Sequence, residues 1–157
     1  MNTVEVAASG VRAPRWRAAL AGVCREALAA AGIDGWDLSV LLTSDAIIRG
    51  LNARYRGKDR ATDVLSFSQA EGVRIAGHGR QRPAGDLVIS LETMRRSAAE
   101  RGLDEREELV RLAVHGILHL AGMEHGRGMG RAMRAREQNV LKALGGRGAA
   151  GVRGGGP

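Results

Sequence analysis

A single cysteine, Cys24, stands in a chain of 157 residues. No internal disulfide is available, which suits a reducing compartment, and Cys24 reads as a small core residue rather than a reactive thiol. Aromatic residues are as scarce: apart from Trp16, Trp36, Tyr55 and Phe67 there are none, so the core must be mainly aliphatic. No apolar run reaches transmembrane length, and Arg12, Arg15 and Arg17 interrupt the N-terminal stretch before a signal-like hydrophobic segment develops. Neither a membrane span nor a secretory leader is expected, and the default compartment is the cytoplasm. Acidic residues are also short, 17 against 24 Lys and Arg, for a formal net charge of +7. Lysine contributes almost nothing to that excess, since only Lys58 and Lys142 occur. Arginine forks match phosphate geometry and can stack on unpaired bases, so a polyanionic partner becomes reasonable. Part of the excess sits in the C-terminal tail and follows a general bias towards Arg, Ala and Gly, so charge alone does not decide for nucleic acid.

The chain has the length of one domain with a substantial core. Val4-Glu-Val6 alternates as a short edge strand within residues 2–8. Apolar residues recur at helical spacing from Pro14 to Ala31, with Gly32 as the stop. Residues 36–43 read as a strand buried on at least one face, after which Thr43, Ser44 or Asp45 can cap a helix running to about Tyr55. Residues 62–68 and 86–90 are two more strands. Between them, Glu71 to Gly85 reads as a mobile hairpin loop that leaves His78 exposed. A helix opening at Ser90 or Leu91 ends near Gly102, and Asp104 with Glu107 makes a capping-box-like start for the next one. The last helix spans about Gly130 to Leu144, with Met133, Val140, Leu141 and Leu144 inward and Arg131, Arg134 and Arg136 outward. The domain thus ends at 145, and residues 146–157, rich in Gly and Arg, have nothing to bury and are expected to be disordered.

Three of the four histidines fall within His115-Gly-Ile-Leu-His119-Leu-Ala-Gly-Met-Glu-His125. On a helix, residues 115 and 119 share one face and aim both imidazoles at one point. Gly122 is placed where a left-handed cap would turn the chain and bring His125 in as a third ligand. Three imidazoles with one tetrahedral position open are the arrangement of a catalytic zinc, whereas structural zinc is usually closed by four ligands. Satisfied surface or core histidines are the plain alternative, and they do not account for three at this spacing. The rest of the helix is apolar almost all round. Its polar stripe, Glu108, Arg111, His115 and His119, places Glu108 and Arg111 either behind the metal or in an ordinary salt-bridged face.

A zinc on neutral imidazoles keeps its double charge, acidifies water and polarises phosphoryl or carbonyl oxygens, so hydrolysis is the natural reaction class. The histidine spacing equals that of the metzincin proteases, which carry Glu directly after the first His as general base; here that position is Gly116. Gly116 leaves room either for a bulky substrate or for close helix packing. Glu124, just before the third histidine, is the candidate proton acceptor. Candidate phosphate contacts lie in Arg54-Tyr55-Arg56-Gly-Lys58-Asp-Arg60, a charge run that reads equally as a solvated face, with Tyr55 as a base-stacking surface.

The histidine block resembles the signature of the YbeY-type endoribonucleases. Leu51-Asn52 through Tyr55-Arg56, Lys58-Asp59 and Thr62-Asp63-Val64-Leu65-Ser66-Phe67 resembles that family's second signature, and Gly85-Asp86 opening a strand resembles a third. Three blocks in the right order span most of residues 36–144. Two positions depart from the pattern: Met123-Glu124 stands where an aromatic-acidic pair is usual, and Ser68 where proline is usual. The resemblance implies a single α+β domain over residues 1–145, with a mixed sheet of about four strands flanked by helices and a central histidine-bearing helix. It implies one Zn2+ per chain on His115, His119 and His125, with Arg56 in catalysis or RNA contact and no small-molecule cofactor. It further implies single-strand-specific endoribonuclease activity in 16S rRNA 3′-end maturation and ribosome quality control, with single-stranded rRNA and the ribosome as partners. Two other readings of the residues stay open: a zinc peptidase-like hydrolase, and a non-catalytic zinc-stabilised module that docks on RNA or the ribosome.

Overall fold

The structure, a computed structural model, describes residues 1–68, 84–124 and 131–145, with backbone alone for Ala84, Met123, Glu124 and Arg131. The hairpin loop with His78, the third histidine His125 and the tail 146–157 lie outside the described residues.

The elements run β1 (Thr3–Ala8), α1 (Arg17–Ala30), β2 (Asp37–Thr43), α2 (Asp45–Arg56), β3 (Val64–Ser68), β4 (Ala84–Ser90), α3 (Leu91–Arg101), α4 (Glu105–Glu124) and α5 (Arg131–Gly145). The four strands form one mixed sheet in the order β1-β2-β4-β3. β1 pairs with β2 and β2 with β4 in parallel, while β3 pairs antiparallel with β4, Ser66 opposite Leu87. The fold is α+β, and the expected edge strand near the N-terminus is indeed an edge. At the other edge, β3 turns one side of its backbone away from the sheet.

Strand alternation splits the apolar residues between two faces. Leu38, Val40, Leu42, Leu87 and Ile89 pack with α1, α3, α4 and α5 in the larger core. Leu65, Phe67 and Val88 face the other way, where α2 covers them with Ile48, Leu51 and Tyr55. With so few aromatics the larger core is aliphatic, and Cys24 sits in it fully buried. That burial pushes the Cys24 thiol up to about 12, against a small opposing effect of Arg25, so the thiol is unreactive.

Several boundaries differ from the sequence reading. α1 starts at Arg17, three residues after Pro14, because Pro14 O accepts from the Arg17 N–H in a tight entry turn and the first helical bond runs from the Leu20 N–H to Trp16 O. β3 starts at Val64, because the Asp63 carboxylate accepts the Val64 N–H (2.7 Å) and fixes a turn before it. β4 begins at Ala84, two residues early, since its pairing with β2 extends that far. The largest correction concerns Gly122. No left-handed cap forms there: the residue is helical and buried, and α4 continues to Glu124. Leu120 and Ala121 are locked in the core just before it, which outweighs the roughly 1 kcal/mol cost of a helical glycine.

Candidate active site

α2 carries the cations. Its N-terminus is capped by Ser44, and its C-terminus closes on Gly57, whose φ of 70° suits glycine. The Gly57 N–H donates to Ala53 O and the Lys58 N–H to Asn52 O, both at 3.2 Å, the first being the bond of an αL-type helix ending. Buried Asn52 donates Nδ2 to Arg60 O (2.9 Å), so the turn bearing Lys58 and Arg60 is tied back to the helix. From outside, Arg49 braces the same turn through Asp59 at 2.8 Å. Arg56 reaches the open edge of β3: its Nη2 donates to Ser66 O (2.7 Å), and its guanidinium carbon lies 4.6 Å from the Phe67 ring centroid. Hydrogen bond and ring together fix the fork in place.

α4 brings the histidines to the same edge. The His115 and His119 rings are 5.4 Å apart between centroids and nearly perpendicular, at 82°. Glycine at 116 is what allows this approach. A Cβ there would stand 2.8 Å from Leu87 Cδ2 and 3.4 Å from Ser66 Oγ, while Ser66 Oγ donates to Gly116 O at 3.3 Å. The position therefore serves close helix packing, and any side chain there would have to displace Leu87. Gly85 does the same for Leu120, whose Cδ2 would lie 2.6 Å from an added Cβ.

The two elements enclose a groove of roughly 430 Å³ along β3, lined by Asn52, Arg56, Lys58, Arg60, Thr62, Asp63, Val64, Leu65, Ser66, His115 and His119. Of the sequence candidates, it unites His115, His119, Arg56, Lys58 and Arg60. It does not include Arg54 or Tyr55: the Tyr55 ring packs edge-on against Phe67 at 5.5 Å, and Arg54 lies over Tyr55 at 5.2 Å. The side chain of Glu124 and all of His125 lie outside the described residues.

Two carboxylates at the site escaped the sequence reading. Asp63 lines the groove among the cations. Glu137 of α5 places Oε2 3.1 Å from His115 Nδ1. A signal for Glu137 was present, because it falls on the apolar stripe of Met133, Val140, Leu141 and Leu144, where a charge needs a partner. The other half of the α4 stripe, Glu108 with Arg111, is a salt bridge (Nε to Oε1 3.1 Å) outside the groove lining.

His119 has its pKa lowered, by burial first and then by the neighbouring His115 and Arg56, with Glu137 opposing. This favours the neutral imidazole that a metal requires. Two imidazoles on one helical face, one with a carboxylate behind it, suit a divalent transition ion. Among the described residues no group of three or more His, Cys, Asp or Glu side chains that could hold a metal ion comes together.

Comparison with known proteins follows the same lines. The family described as Endoribonuclease YbeY matches residues 4–145. A protein of that name from Pelotomaculum thermopropionicum is 45% identical over 109 residues, 69% of this chain and 72% of the relative. Another from Treponema pallidum is 42% identical over 126 residues, 80% of this chain and 78% of the relative. The solution structure of a Thermotoga maritima protein superposes with a TM-score of 0.59 at 21% identity, over 100% of this chain and 98% of the other, and shows the same fold. The chain belongs to the YbeY endoribonuclease family.

Proposed function

We propose that this protein is a zinc-dependent, single-strand-specific endoribonuclease that acts in 3′-end maturation of 16S rRNA and in ribosome quality control. The observation that carries the reading is the groove itself: two histidines from α4 and three cations from the end of α2, distant in sequence, line one cleft along the open edge of β3. Relatives named endoribonuclease give the reaction class. His115 and His119 would hold one Zn2+ per chain, and His125, six residues after His119 in the chain, is the candidate third ligand. When bound, the ion supplies Lewis acidity, acidifying water and polarising a phosphoryl oxygen.

The protein's own groups do the rest. Arg56, pinned by Ser66 O and Phe67, presents a guanidinium to the phosphate that reacts. Lys58 and Arg60, both exposed, bind the flanking phosphates and make affinity fall with salt. Glu124 is the candidate proton acceptor. No helix among the described residues is long and apolar enough to cross a membrane. The peptidase alternative loses support because residue 116 is a glycine set close against Leu87 and supplies no base.

The test is cleavage of labelled single-stranded rRNA fragments by wild type and by His119→Ala, with metal content measured on both. The expected outcome is a loss of roughly 1000-fold or more in rate together with the zinc. Equal cleavage by both would refute the reading. Binding of RNA and zinc by the wild type without cleavage would make the protein a docking module instead.

A further inference from the structure

We infer that Glu137 is a positioning residue for the histidine site, and that α5 is therefore part of the metal-binding machinery. The inference rests on the metal reading proposed above and adds a residue to it. A carboxylate offers only acceptors, so in the 3.1 Å contact between Glu137 Oε2 and His115 Nδ1 the proton belongs to Nδ1. An imidazole protonated at Nδ1 keeps the lone pair on Nε2, the form in which it can donate to a metal. The contact also restricts rotation of a ring whose side chain is one-third exposed.

Glu137 can do this because its helix is anchored on both sides of it. Val140 and Leu144 are buried in the larger core, with Met133 and Leu141 packed against it. One residue before Glu137, Arg136 Nη2 donates to Ala31 O at the end of α1 (2.5 Å). The Glu137 side chain is only 15% exposed, so its carboxylate is withdrawn from water and aimed at the ring. A surface charge merely repelled from the core would point outward.

The experiment uses the full chain as wild type, Glu137→Gln and Glu137→Ala. Zinc affinity is measured by competition with a chromophoric chelator, and the His115 tautomer by long-range nitrogen-proton NMR on metal-free protein at about pH 8.5, where an ordinary imidazole is neutral. The wild type should show the Nδ1-protonated ring. Glu137→Ala should shift it towards the Nε2-protonated form and weaken zinc by about 10- to 100-fold, whereas Glu137→Gln, whose Oε1 still accepts, should fall between. A merely structural contact would lower the melting temperature of the metal-free protein and leave zinc affinity untouched. Zinc binding by Glu137→Ala equal to wild type, or an unchanged tautomer, overturns the inference and leaves the proposed function standing. Failure of the wild type to bind zinc more tightly than His119→Ala overturns both.

Discussion

The two halves of α4 carry the same kind of polar stripe and use it in opposite ways. In the first half Glu108 is fully buried, and its carboxylate is surrounded: Arg111 bonds it through Nε at 3.1 Å, Ser97 at 3.3 Å, and Arg101 lies within 3.9 Å. In the second half His115 and His119 stay partly exposed on a groove whose opposite wall is cationic. A saturated buried charge fixes where a helix sits. Imidazoles gathered opposite cations, with a carboxylate behind one of them, leave bonding capacity for a ligand. One stripe thus serves architecture at its start and, on the function proposed above, chemistry at its end, and substitutions should separate the two.

The largest effect on stability is expected at the architectural half. Glu108→Ala strands the Arg111 guanidinium, a permanent charge that is about three-quarters buried and bonded to Glu108. Breaking a buried pair on one side should cost about 3 kcal/mol, or about 10 °C in melting temperature for a chain of this size. Zinc affinity measured well below the melting temperature should stay at the wild-type value. A loss of zinc at retained stability would show that the two halves are not separate. The converse comes next, from the opposite wall of the groove. Arg56→Lys keeps the charge but loses the Nη2 hydrogen bond to Ser66 O and the stacking of the guanidinium on Phe67. RNA cleavage should fall about 100-fold, with melting temperature and metal content unchanged. An equal fall in stability would place Arg56 with Glu108, as an architectural charge.

How much of this division could be read in the sequence depends on range. His115 and His119 are legible together because the helical period is a local rule. Their meeting with Arg56, Lys58 and Arg60 is not, since it requires β3 to cross beside β4 and expose its outer edge to both α2 and α4, a consequence of sheet order that no local pattern states. Glu137 lies between these cases: the helical wheel puts it on the apolar stripe of α5, but only packing shows that His115 is what faces it. Gly122 failed for the reverse reason. A local preference for ending helices at glycine was overridden by the packing of Leu120 and Ala121. At Gly116 the sequence left two uses open, room for substrate or close helix packing, and the structure shows the second; at Gly85 only packing reveals the close approach of Leu120 from α4. The four-strand mixed sheet followed from alternation and the family resemblance together, with strand ends off by one or two residues.

The smallest predicted effect concerns a third carboxylate, Asp45, which resembles Glu108 in having its partners within the fold and Glu137 in lying near the surface. It joins the start of α2 to the start of α3. Its Oδ1 accepts from Ser90 Oγ (2.6 Å) and Thr93 Oγ1 (2.5 Å), its Oδ2 from Arg96 Nη2 (2.7 Å), and its own N–H donates to Glu92 (2.9 Å). Burial alone would raise its pKa, but the hydrogen bonds from Ser90, Thr93 and Arg96, with the Arg96 charge, outweigh that and bring it down to about 2. A carboxyl that is more acidic in the folded state than in the unfolded chain stabilises the fold above its unfolded value near 4. That contribution is lost as pH falls from about 4 to about 2. With a quarter of the side chain exposed and solvent screening allowed for, it amounts to about 1 kcal/mol. Urea unfolding of wild type and Asp45→Asn at neutral pH and near pH 2 measures it: the two should differ by about 1 kcal/mol at neutral pH and converge in acid. If the difference persists in acid, the hydrogen bonds hold the α2–α3 junction without the charge. Asp45 would then share the geometry of Glu108 but not its electrostatics, and charge would matter to this fold only where it is fully buried.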